Sequence, residues 1–252
     1  MSIIKSELYK LKIFRPFYIC LSICAAIVAL FGLSIQGGDV EYAEGGEGGI
    51  SAVLLIEQTL DLPFLPFIFA VFVSLFVCGE FHNGTIKNYV SKGFKRVGIY
   101  VSKLAVCGVA VLMMYGVYVA LLGIMGTVLG GFDPQGVAAF SNTTAMILGE
   151  GLLMLAYAAV FILVSMCLRG VGASIAVNLC IESFLPIILR ASSFIIGGDI
   201  MLENYWISTH ITALAALTPE SGAVLRGILV GLCYVAGGTL VGSILFKRQD
   251  IK

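Results

Sequence analysis

Six long apolar runs punctuate the chain, at about 17–36, 62–78, 104–129, 144–168, 171–189 and 223–246. A helix rising about 1.5 Å per residue needs roughly 20 residues to cross a hydrocarbon core of about 30 Å. The pattern therefore predicts an all-α membrane protein with six transmembrane helices in a single domain over residues 1–252. An even number of crossings puts both termini on one side.

The polar intervals refine this outline. In MSIIKSELYKLK, Ile4, Leu8 and Leu11 recur at helical spacing while Lys5, Lys10 and Lys12 lie off that stripe. This predicts an N-terminal helix in the cytoplasmic membrane interface; the alternative is an ordinary helical extension of the first span, stopped by Pro16. The loop QGGDVEYAEGGEGG is acidic and Gly-rich, and its composition predicts mobility. Pro63 and Pro66 mark the start of the second span, where a missing amide donor does least harm. Arg169-Gly170 alone joins spans four and five, which predicts a tight hairpin. Residues 190–222 are too apolar for a free loop and too interrupted for a seventh span. Gly197-Gly198, Trp206 and Pro219-Glu220 predict short helices dipping into the outer leaflet, with Tyr205 and Trp206 at headgroup depth as outer-gate candidates. In the last span Gly227, Gly231, Gly238 and Gly242 share one face, a strip suited to close helix packing within the chain or, less favoured, to a dimer seam.

Composition confirms the solvent. The chain is 59% hydrophobic and 12% charged, half the charge of a soluble domain at about 25%. Among lysines and arginines only Arg190 and Arg226 fall on the side opposite the termini, so the termini are predicted to be cytoplasmic. Most acids, Glu150 among them, fall on the outer side in this reading. The first run is longer than the 7–15 residues of a signal-peptide core and no cleavage pattern follows it, so it is expected to remain as an anchor. The seven cysteines all lie in or at the ends of apolar runs, which suggests small buried hydrophobes and neither a disulfide framework nor a metal site.

Enzyme chemistry finds little support. Gly79 and Gly84 have the Gly-x4-Gly spacing of a P-loop, but Thr85 and Ile86 follow where Lys and a hydroxyl residue are needed for phosphate and magnesium. Two histidines, His82 and His210, and the absence of H-E-x-x-H or G-x-S-x-G leave no hydrolytic constellation. Glu182 is the carboxylate that this reading places inside a span, with Asn178 one turn away on the same face. A mid-membrane charge costs about 2.5–3.5 kcal/mol on insertion scales and usually faces a cavity or a partner. The pair are translocation-path candidates; the plainer alternative is a hydrogen-bonded Glu fixing helix contacts within the bundle.

The basic island GEFHNGTIKNYVSKGFKR between spans two and three is more informative. Its Glu80, Gly84, Thr85, Ile86, Lys87, Asn88, Gly93 and Arg96 resemble the E-x3-G-T-I-K-N-x4-G-x2-R pattern of ABC-2 type permeases, the membrane subunits of a class of ABC transporters. E-L-Y-K-L-K (Glu7 to Lys12) and F-K-R-Q-D-I (Phe246 to Ile251) extend the resemblance to both ends of the chain. Lys95 departs from the pattern, standing where relatives often carry a small polar residue.

The resemblance implies that this loop forms a cytoplasmic coupling helix docking on a separate ATPase, through Glu80, Asn83, Gly84, Thr85, Ile86, Lys87, Asn88, Tyr89, Lys92 and Arg96. Thr85 or Asn83 would cap it, and Tyr89 and Val90 would offer an apolar contact. It further implies two permease chains, expected as a homodimer, and two ATPase subunits that carry ATP and magnesium, with no cofactor in this chain. The location implied is a bacterial inner membrane. The short chain resembles permeases exporting amphipathic cytolytic or antimicrobial peptides, including lantibiotic-immunity and phenol-soluble-modulin exporters. Export of hydrophobic drugs, or an ion-gradient-driven carrier, is the alternative.

Overall fold

The computed structural model describes residues 3–36, 56, 59, 64–130, 137–196, 202–215 and 222–248. The acidic Gly-rich loop, Pro63, Gly197-Gly198 and Pro219-Glu220 lie outside these, as does the Lys87 side chain. The described residues form α-helices and one 3-10 turn, with no strand among them. In chain order the helices are α1 (Ile3–Ile13), α2 (Arg15–Gln36), α3 (Phe64–His82), α4 (Thr85–Ser91), α5 (Arg96–Gly130), α6 (Val137–Leu168) and α7 (Val171–Ile196). The 3-10 turn Leu202–Tyr205, α8 (Ile207–Ala215) and α9 (Ala223–Arg248) complete it. Among the described residues six helices are long and apolar enough to cross a membrane: α2, α3, α5, α6, α7 and α9. They match the six apolar runs, and α5 starts well before its run, at Arg96.

Burial sorts these spans. α3 and α6 are largely enclosed, whereas α2, α7 and α9 leave most of their surface open to lipid or to another chain. α6 is the hub, packed against α9, α3, α5, α7 and α8. Tyr157 and Phe161 of α6 and Phe69 and Phe72 of α3 are fully buried, supplying large apolar area to the core.

The joints have local causes. Pro16 has no amide to continue α1, and the freed carbonyl of Lys12 instead accepts a bond from the Tyr18 hydroxyl at 2.8 Å. The break falls at Phe14, whose ring packs edge-on against Phe76, 5.3 Å between centroids. Between α6 and α7 the chain turns on Arg169, which takes a positive φ of 59°. Arg169 and Gly170 alone separate the two helices, as the sequence predicts.

α1 differs in part from the predicted apolar stripe. Ile4 and Leu8 face outward, but Leu11 is buried alongside Glu7. One face of α1 is thus exposed, and the other belongs to the protein.

Candidate functional site

The G-T-I-K-N segment folds as a short helix held between two left-handed glycines. Gly84 has φ 67° and Gly93 φ 79°, conformations that L side chains seldom adopt. Gly84 ends α3, its amide bonding the Phe81 carbonyl at 3.2 Å, and immediately precedes α4. At the far end Gly93 N–H bonds Val90 O at 3.0 Å and Phe94 N–H bonds Tyr89 O at 3.3 Å. This is a Schellman stop, completed by the Tyr89–Phe94 ring contact at 6.1 Å. Capping by Asn83 or Thr85 is not found: α4 has no side-chain cap, because the turn at Gly84 already fixes the entry.

α4 is anchored inward by Ile86, 1% exposed, and by Tyr89. The Tyr89 hydroxyl donates to Glu7 Oε1 at 2.9 Å and accepts from Lys10 Nζ at 3.0 Å. Lys10 also reaches Glu7 at 3.0 Å and Glu80 at 3.3 Å. Lys103, fully buried about 10 Å into α5, bridges Glu7 and Glu80 and lies over the Phe76 ring at 4.7 Å. Two carboxylates and two ammonium groups therefore neutralise one another, joining α1, α3, α4 and α5. Burial pushes the Glu7 carboxyl upward, but Lys103 and Lys10 outweigh it and hold the group below its ordinary range. Lys10 is likewise pulled down by burial, yet Tyr89, Glu80 and Glu7 raise it overall.

Tyr89 and Val90 are thus turned toward this chain, and Asn88, Ser91, Lys92, Phe94 and Lys95 form the outward surface. Arg96 donates from Nη1 to the Lys247 carbonyl at 3.0 Å, tying the start of α5 to the last turn of α9.

Asn178 and Glu182 are both enclosed by the chain. Asn178 Nδ2 donates to Ser74 Oγ at 2.9 Å, within a knot that includes Ser165 and Ser174, whose hydroxyls are 2.6 Å apart. This knot cross-links α3, α6 and α7. Glu182 accepts a bond from the Tyr157 hydroxyl at 3.0 Å, while its Oε2 has no partner among the described residues. Pro186 sits four residues later and lacks the amide that would bond the Glu182 carbonyl, so α7 loses a rung there.

Trp206 is enclosed by the chain. It is 4% exposed and wedges between Tyr157 of α6 and Tyr234 of α9, at 6.2 and 5.9 Å between ring centroids. Tyr157 stands eleven residues from the end of α6, about 16 Å, or roughly half the membrane core. The reason is packing: the bundle offers an aromatic socket that removes more of the ring from water than the interface would. Tyr205 is exposed, and its carbonyl accepts from the Tyr234 hydroxyl at 3.1 Å.

The four glycines of α9 all face this chain's own helices. A methyl on Gly227 would meet Leu214 at 3.4 Å, on Gly231 Leu152 at 3.0 Å and on Gly238 Ala159 at 3.1 Å. On Gly242 it would overlap the Tyr100 hydroxyl and ring. Tyr100 crosses α9 here and donates to Gly238 O at 2.8 Å.

Sequence reasoning missed three features. Lys103 reads as one more positive charge on the terminal side. Glu7 carries a resemblance but no assigned role. Glu150, read as an outer acid, is instead buried in α6 with Tyr115 donating to it at 3.1 Å. Its position eighteen residues before the end of α6 was the available signal.

This architecture defines a multi-pass helical membrane protein whose basic end is organised around a short inter-span helix. A family model described as ABC-2 family transporter protein matches residues 3–185, and the chain belongs to that family. No curated protein matches the chain. The family is a transporter domain without its own ATPase motif, and it implies pairing with an ABC ATPase subunit.

Proposed function

We propose that this chain is the permease subunit of an ATP-driven exporter, paired as a homodimer with two ATPase subunits that bind ATP and magnesium. The reading sets the termini and α4 in the bacterial cytoplasm, with α4 as the coupling helix. The observation that carries it is the attachment of α4. Rigid glycine-bounded ends and the Tyr89 bonds to Glu7 and Lys10 make it a stiff handle on α1, α3 and α5. Asn88, Lys92, Phe94 and Lys95 would meet the ATPase, whose closure would tilt α3 and α5 through the buried charges. Substrates would pass between the two permeases, so Asn178 and Glu182 serve the bundle and not the path.

Amphipathic cytolytic or antimicrobial peptides are the favoured cargo, consistent with an apolar chain surface carrying little charge. Hydrophobic drugs are the second reading, favoured by an open, apolar groove of about 480 Å3 between α2 and α5, lined by Val28, Gly32 and Met125 among others.

The test is purification from the native host in mild detergent, with mass spectrometry of bound chains. A stoichiometric soluble partner carrying a P-loop lysine is expected. Asn88→Arg with Lys92→Glu should lower its recovery at least tenfold while the permease itself inserts normally. A chain that purifies alone across several detergents would refute the assignment and favour an ion-driven carrier.

A further inference from the structure

We propose that the outward face of α1 is a binding surface for anionic lipid headgroups and that its occupancy steadies α4. Glu7 and Leu11 turn into the protein, whereas Ile4, Lys5, Leu8, Tyr9, Lys12 and Ile13 are exposed. Helical geometry puts Lys5 and Lys12 about 20° apart in the middle of that face, with Ile4 and Leu8 on one shoulder and Tyr9 and Ile13 on the other. No described residue of the chain forms an ion pair with either lysine.

Location selects the occupant. α2 begins at Arg15, with Phe14 alone between it and the end of α1, so α1 is pinned where a span enters the bilayer. Paired ammonium groups between apolar shoulders match phosphate headgroups above acyl chains; a soluble acidic protein would leave the shoulders uncovered. The opposite face of the same three-turn helix holds Tyr89 through Glu7 and Lys10. Headgroups that fix α1 therefore fix the anchor of α4.

The full chain is tested alone, so the result does not depend on any ATPase. Tyr9→Trp in a Trp206→Phe background puts the chain's single tryptophan on this face. Its quenching by brominated phosphatidylglycerol is compared with that by brominated phosphatidylcholine in mixed vesicles. At roughly fivefold per lysine, the two together give an expected preference of about 25-fold for the anionic lipid. Lys5→Gln with Lys12→Gln should bring it to near one, and Lys92→Gln with Lys95→Gln should leave it intact. Amide exchange across Asn88–Lys92 should slow when phosphatidylglycerol is added to phosphatidylcholine vesicles, in the unaltered chain and not in the Lys5/Lys12 variant. An equal preference in all three chains, or none in the unaltered face, overturns the site. Protection of the reporter indole by added soluble protein but not by lipid assigns the face to a protein and overturns it too. Lipid preference without slowed exchange overturns the link to α4.

Discussion

Two of the buried polar clusters in this bundle are built on opposite terms. At the α4 end, Glu7, Glu80, Lys10 and Lys103 neutralise one another through several ion pairs and Tyr89 joins the set, with Glu80 Oε2 left as its one atom without a hydrogen bond among the described residues. Near mid-membrane, Glu182 keeps one hydrogen bond from Tyr157 while its second oxygen and the Trp206 indole N–H have no partner among the described residues. The first arrangement resists change because any displacement separates charges in a low-dielectric setting. The second gives little resistance, since an unmet donor or acceptor already carries its desolvation cost. A transporter needs both: a stiff connection where force enters, and a loosely held region where helices rearrange. The missing rung at Pro186, beside Glu182, falls in the looser region.

The largest expected effect therefore comes from Lys103→Met. Removing this ammonium leaves Glu7 and Glu80 sharing Lys10 alone, and breaking such a buried pair costs about 3–5 kcal/mol. Thermal unfolding of the detergent-solubilised chain should show a large fall in Tm, with Glu7→Gln in the same chain restoring part of it. A Tm unchanged by Lys103→Met would mean that the two clusters do not differ in the way described.

The pH dependence sharpens the same contrast. The Glu7 carboxyl is held below its ordinary value of 4.5. A depressed acid contributes stability above its unfolded value and loses it as pH falls through the folded one. Lys10 is raised above 10.5, so its contribution persists below that value and is lost only as pH rises beyond it. The Tm difference between the unaltered chain and Glu7→Gln should then stay flat from about pH 5 to about pH 10 and shrink only in stronger acid. A difference that changes steadily across neutrality would indicate that the charges are not paired.

Much of the first cluster was legible as residues but not as contacts. Glu80 and both glycines stand in the pattern that carries the resemblance, and the resemblance implied a short helix there, though with Thr85 or Asn83 and not the Gly84 turn at its start. That Tyr89 turns inward depends on Glu7, 82 residues away in sequence, and local periodicity carries no such information. Lys103 was absorbed into a rule about charge and sidedness, which treats a lysine near a span end as solvated. The six spans emerged cleanly because hydropathy is a property of composition and length. Trp206 did not, because the interface preference of tryptophan is a surface rule and the Tyr157–Tyr234 socket exists only after folding.

The smallest effects should come from the second cluster, and they decide whether its looseness is real. Trp206→Phe keeps an aromatic ring in the socket and deletes an indole N–H that has no partner among the described residues. Its cost should therefore be that of the packing lost with the smaller ring, without the further cost of about 0.5–1.5 kcal/mol that a well-made buried bond would add. Glu182→Gln keeps an acceptor for Tyr157 and removes the burden of a buried acid, and its Tm should move little. Tyr157→Phe provides the internal control: it deletes the one side-chain bond that Glu182 has among the described residues and should cost about 1 kcal/mol. If Glu182→Gln proved more damaging than Tyr157→Phe, the second Glu182 oxygen would have a partner that matters, and this cluster would be as tightly closed as the one beneath α4.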